Sequence, residues 1–162
     1  MTESEFRQRI VDCARSWCGT KYHLNACVKG AGVDCARLPL GVFRELGLTD
    51  EKIEVFSQDW FCHASEDSYK LRILRHAKQI AEAIAYPTLN AKPGCLLLVR
   101  SPNGKVHYHG GIVTKWPLVC HAIHPAVEEI DASRHPMWMH KTVSIFDPWL
   151  KYRESEAFPL AA

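Results

Sequence analysis

At 162 residues, 47% of them hydrophobic and 23% charged, the chain has the length and composition of one globular domain spanning residues 1–162. Its 20 basic and 18 acidic residues leave a formal net charge of +2 and are scattered without a basic face, which excludes a broad electrostatic grip on nucleic acid. No apolar stretch approaches the roughly 20 residues of a membrane span, and the polar start from Met1 to Cys13 does not read as a signal peptide. Synthesis in the cytoplasm is therefore expected, with any export by another route.

Thr2 and Glu5 make a capping box. Phe6, Ile10, Cys13, Ala14 and Trp17 follow on one helical face, up to a stop at Gly19. Residues 20–33 show no period and predict a loop. Asp34 is a suitable N-cap for a second helix, with Leu38, Val42 and Leu46 on one side and Gly47 at its end. Residues 48–68 are irregular, with Phe56, Trp60 and Phe61 as aromatic anchors. The spacing of Ile73, Ala77, Ile80 and Ile84 predicts a third helix over about 69–85, stopped by Tyr86-Pro87.

The period then changes. Cys95 to Val99 is a short apolar run suited to a buried strand, and Ser101 to Gly104 is a turn. Val106 to Thr114, Leu118 to Ile123, Val127 to Asp131 and Thr142 to Phe146 read as further strands with short connections. Helices followed by an antiparallel meander indicate an α+β domain, its N-terminal helices packed on the sheet.

Seven Cys and nine His raise the question of zinc. The Cys at 13, 18, 27, 35, 62, 95 and 120 include no Cys-x-x-Cys pair, whereas structural zinc ligands come two to four residues apart. No metal and no cofactor are expected, and most of these Cys read as small buried apolar residues.

Cys35 differs from the rest because it follows the N-cap Asp34 and a glycine-containing loop. Helix-start amides and the positive end of the helix dipole favour thiolate there. The same amides suit an oxyanion. On that reasoning Cys35 is expected to be the thiol alkylated fastest, while the plain alternative is a Cys buried under the helix. A thiol nucleophile needs a base with an orienting partner. His109 opens His-Gly-Gly-Ile-Val, and His121 lies in the next strand, so two antiparallel strands can set the imidazoles side by side. His107 is the competing base, two residues from His109 and so expected on the same face.

These segments resemble those of NlpC/P60 cell-wall peptidases, a papain-like family. Arg15-Ser-Trp-Cys-Gly-Thr-Lys-Tyr22 and Gly30-Ala-Gly-Val-Asp-Cys-Ala-Arg-Leu38 are similar to its Gly-Thr-Pro-Tyr and Asp-Cys-Ser-Gly-Leu segments. Lys92-Pro-Gly-Cys-Leu96, His109-Gly-Gly-Ile112 and Val119-Cys-His-Ala122 resemble its later landmarks, in the same order over about residues 6–147. Gly41-Val-Phe-Arg-Glu-Leu46 and Asp59-Trp60 are closer to the family's phage and prophage branch.

The resemblance implies a triad of Cys35, His109 and His121, with Tyr22, Asp34, Ala36 and Arg37 at the substrate site. It implies hydrolysis of a peptidoglycan stem, at the link between D-γ-glutamate and a diamino acid, and phage tail proteins and the virion tail as partner and location. Four departures stand out: Ala36 replaces Ser, Arg37 replaces Gly, Cys95 replaces Asp, and Pro39 removes an amide that would serve the Cys35 carbonyl. Arg37 has two readings, a cleft guanidinium for a substrate carboxylate or a solvated helix residue. The alternatives in function are a tail-tip structural protein with little turnover and a thioester-forming acyltransferase.

Overall fold

The computed structural model describes residues 1–52, 54–85 and 89–157; the expected stop at Tyr86-Pro87 lies outside them. Helix α1 (Glu3–Ser16) starts at the capping box: Thr2 Oγ1 accepts from the Glu5 amide at 3.3 Å, and Glu5 Oε2 accepts from the Thr2 amide at 2.8 Å. Its apolar stripe of Phe6, Ile10, Cys13 and Ala14 is buried. The expected loop contains a small hairpin, β1 (Cys27–Val28) and β2 (Gly32–Val33), before α2 (Leu38–Glu45). Two short helices follow, α3 (Trp60–His63) and α4 (Ser68–Ile73).

Strands β3 (Lys78–Ile84), β4 (Leu96–Arg100), β5 (His107–Lys115), β6 (Leu118–Ala122), β7 (Val127–Asp131) and β8 (Thr142–Asp147) form one antiparallel sheet in the order β3-β8-β4-β5-β6-β7. Both faces are covered at its centre. Leu96 and Leu98 of β4 pack under the helices with Phe6, Ile10 and Phe43. Leu97 and Val99 pack on the opposite face with Val119 and Trp138. A strand buried on both faces has no polar side to show, hence the continuous apolar run. Each such Leu contributes roughly 1.5–3 kcal/mol by burial.

The helix expected over 69–85 is corrected. It ends at Ile73 with Leu74 as its C-cap, and residues 78–84 are edge strand β3. Ile73 and Ala77 are buried, but Ile80 and Ile84 are 47% and 38% exposed, so their four-residue spacing marks no helical face. Charged neighbours guard this edge, with Glu82 paired to Arg100 and Lys78 to Glu154. A helix absent from the sequence reading, α5 (Pro148–Ala157), follows β8. Asp147 Oδ1 accepts from the Trp149 amide at 3.0 Å, which caps α5, and the rings of Trp149 and Tyr152 lie 5.5 and 4.7 Å from that of Phe6.

Candidate active site

Cys35 lies in a turn that leads into α2, one residue past Asp34. The Asp34 carbonyl accepts from the Leu38 amide at 3.0 Å, and its Oδ1 accepts from the Ala36 and Arg37 amides at 3.1 and 2.9 Å. Those bonds wrap residues 35–37 as a helical turn and consume the amides that the sequence had offered to a substrate. Pro39 has no amide for the Cys35 carbonyl. The Tyr69 hydroxyl of α4 takes that place, donating to Cys35 O at 2.8 Å. Gly110 makes room for it, because a Cβ there would overlap the Tyr69 hydroxyl and approach Leu98 Cδ2 to 2.8 Å.

The two readings of Arg37 are both corrected. Its guanidinium is neither solvated nor in the cleft: the residue is 4% exposed, with Nη1 2.6 Å from Asp34 Oδ2. Nη2 donates to the Glu54 carbonyl at 2.6 Å, and the guanidinium carbon sits 4.7 Å from the Phe56 ring centre. Asp34 is correspondingly unable to serve as an open anionic contact, since its Oδ2 also accepts from the Asn25 amide at 2.8 Å. Ala36 faces a separate small pocket near Tyr69 and Trp60.

On the sheet, β5 carries a bulge opposite Val99 and Arg100, which pair with His109 and His107 respectively. The extra residue, Tyr108, breaks the alternation, so the two imidazoles go to opposite faces. This corrects the expectation of a shared face. His107 meets Asp67 Oδ2 through Nδ1 at 2.6 Å and Ser144 Oγ through Nε2 at 2.8 Å, on the helix side. That buried network ties the N-cap of α4 to the sheet. His109 instead sets its Nε2 2.9 Å from Nδ1 of His121 on β6. Trp138 packs over the pair and donates from Nε1 to His121 Nδ1 at 3.1 Å. A Cβ on Gly111 would lie 2.6 Å from Val119 Cγ1 and 3.0 Å from the Trp138 ring, so glycine is what lets the indole settle.

Cys35 and His109 share the wall of a cleft of about 640 Å³ with Tyr22 and Asp34, as expected, and with Phe56, Trp60, Phe61, Tyr108, His124 and Met137. The Cys35 thiol contacts the Tyr108 carbonyl at 3.8 Å, and among the described residues it makes no hydrogen bond to the His109 ring. Burial and then Asp34 push the thiol up to about 12, against the amides of Cys35, Ala36 and Gly110. The amide field expected at the thiol is present, and desolvation opposes it. Burial, then the neighbouring His121, His135 and Lys141, holds His109 well below the usual histidine range. Both shifts run toward the neutral forms of the pair. Burial, with Cys35 and Asp34, also pushes the Tyr22 phenol up to about 12.

Sequence reasoning missed Tyr69, Tyr108 and Trp138. Tyr108 acts through the bulge and Trp138 through a loop contact, and neither leaves a periodic signal; Tyr69 shares the buried face of α4 with Ile73, a spacing that marks burial but not the bond of its hydroxyl to Cys35. The aromatic anchors Phe56, Trp60 and Phe61 line the cleft rather than fill the core.

Solved structures share this architecture. NlpC1 from Trichomonas vaginalis superposes with a TM-score of 0.61 at 18% identity, over 89% of this chain and 44% of that one. The NlpC/p60 domain of the peptidoglycan hydrolase SagA gives 0.52 at 20% identity, over 86% and 97%. An NlpC/P60 family protein from Bacillus cereus gives 0.59 at 13% identity, over 88% and 40%. No protein-family model and no curated protein matches the sequence. The fold is that of NlpC/P60 domains, and the chain spans less than half the length of two of these three structures.

Proposed function

We propose that the protein is a cysteine hydrolase that cuts a peptide link in bacterial peptidoglycan. One observation carries the reading: a cysteine on a helix-entry turn and His109, whose ring lies 2.9 Å from that of His121 behind it, line one aromatic-walled cleft. SagA, whose domain has the same fold, is a peptidoglycan hydrolase. In the proposed reaction His109 takes the Cys35 proton as Sγ attacks the amide carbonyl. With the Ala36, Arg37 and Leu38 amides held by Asp34, the Cys35 amide is left to face the oxyanion. His109 then protonates the leaving amine, and water, activated by the same ring, hydrolyses the thioester.

The finer proposal is a D-γ-glutamyl–diamino acid link in a phage- or prophage-tail enzyme, supported by the sequence landmarks. Asp34, tied to Arg37, is not the contact for a stem amine on this reading, which leaves recognition to Tyr22 and the aromatic wall. Purified protein incubated with defined muropeptides and a competing amine tests it. Hydrolysed stem, lost in Cys35→Ala, is expected; aminolysed product would identify an acyltransferase instead. No product would favour the structural tail-tip reading, to which the neutral thiol near 12 lends weight.

A further inference from the structure

We propose that Trp138 and Glu128 are positioning residues that lock the His121–His109 pair in one tautomer, leaving His109 Nδ1 as the base. The inference rests on the hydrolase reading for its catalytic meaning, but its tautomer content stands without it. An indole N–H only donates. Because Trp138 Nε1 lies 3.1 Å from His121 Nδ1, that nitrogen is an acceptor, and neutral His121 carries its proton on Nε2. His109 Nε2 lies 2.9 Å from the same acceptor, so it must be the donor, and its own Nδ1 is bare. The reverse tautomer would turn a His121 N–H head-on against the indole N–H and strand a buried donor.

The other end of the relay points the same way. His121 Nε2 is fully buried and makes no hydrogen bond among the described residues, and the Glu128 carboxylate is the group it faces, Oε1 at 3.5 Å. That carboxylate is half-exposed and can close the short remaining gap to accept the proton. The structure also brings His135 Nε2 to 3.9 Å from the same oxygen, so His121, Glu128 and His135 have the spacing of a metal site. The distal nitrogens argue against one. A metal-bound imidazole donates from its other nitrogen, yet His121 Nδ1 faces the Trp138 donor and His135 Nδ1 accepts from the Met137 amide at 3.2 Å. Both rings hold their protons where a metal would have to bind.

The test is two-bond 1H–15N correlation on the full-length protein labelled at histidine, with His109→Gln and His121→Gln as assignments. The wild type is expected to show both rings protonated on Nε2 and bare at Nδ1. Trp138→Phe should mix the tautomers and lower kcat on a muropeptide about tenfold with KM little changed; Glu128→Gln should do the same more weakly. If Trp138→Phe does not fold, the wild-type spectrum decides alone. A proton on Nδ1 of either ring, unchanged tautomers and kcat in Trp138→Phe, or stoichiometric zinc moving the His121 and His135 signals would each overturn the proposal. Expected tautomers without hydrolysis would instead overturn the hydrolase reading and leave this one standing.

Discussion

The Arg37 guanidinium lies 2.6 Å from the Asp34 carboxylate with both side chains almost wholly buried, at 5% and 1% exposure. The pair sits directly behind the nucleophile and fixes the turn that presents it. Removing one partner leaves a buried charge uncompensated, a loss of roughly 3–5 kcal/mol. Arg37→Ala is therefore expected to lower stability in urea unfolding by about that amount. At temperatures where the variant is folded, it should not discriminate between a carboxylate-bearing stem and its amide. The double variant Arg37→Met with Asp34→Asn should recover part of the loss. A strong, selective effect on the carboxylate stem would return Arg37 to the substrate.

The thiols are predicted to react in an order the sequence alone does not suggest. Cys18 is exposed, and its contact with the Cys120 thiol, 3.8 Å away, lowers it to about 7. Cys35 is pushed to about 12, and Cys13 and Cys95 to about 11, chiefly by burial. Thiolate fraction and exposure set alkylation rates. Iodoacetamide near neutral pH should label Cys18 first and Cys35 only slowly in the free protein. Mass-spectrometric mapping checks this, and early labelling of Cys35 would mean that the amide field outweighs burial after all.

The buried imidazoles make stability depend on pH with a definite sign. Burial, then His135, lowers His121 to about 4, with Glu128 pulling the other way. In the unfolded chain a histidine protonates near 6.5. Between about pH 6.5 and 4 the unfolded state therefore binds a proton that the folded state refuses, and stability falls as pH falls. For His121 the loss is on the order of 3 kcal/mol, and His109 adds in the same direction. His121→Gln should flatten the curve in denaturant titrations at stepped pH. For catalysis the sign is favourable: a base held well below 6.5 stays neutral, so kcat/KM should not fall between about pH 7 and 6.

How much of this was legible in the sequence follows from which forces leave a pattern. The first helix and strands β4 to β8 were legible because burial imposes a period, and the capping box fixes the helix start. The segment 78–84 was not, because an edge strand with exposed Ile80 and Ile84 has no obligatory alternation, while Ile73 and Ala77 fell by chance at helical spacing. At the site, Cys35, His109 and His121 could be named from local context. Their separation from His107 could not, since it depends on one bulged residue, Tyr108. Nor could the fate of Arg37: its partner is three residues away, but the choice between pairing inward and facing solvent is made by the Glu54 carbonyl and the Phe56 ring.

The last prediction concerns how the nucleophile's carbonyl is held. Pro39 deprives Cys35 O of a helical partner, Tyr69 supplies one at 2.8 Å, and Gly110 gives the phenol its space. Tyr69→Phe keeps the ring, which is 3% exposed, but leaves the carbonyl unpaired, at roughly 1–3 kcal/mol. Because that carbonyl belongs to the nucleophile's own residue, the cost should appear in kcat as well as in stability, with KM nearly unchanged. Gly110→Ala should do more harm, since the added methyl displaces both Tyr69 and Leu98. In Gly110→Ala with Tyr69→Phe the removed hydroxyl relieves part of the overlap, so the two losses should be less than additive. Denaturant unfolding and steady-state kinetics on the four proteins give that cycle. Fully additive losses would show that Gly110 is constrained by something other than Tyr69.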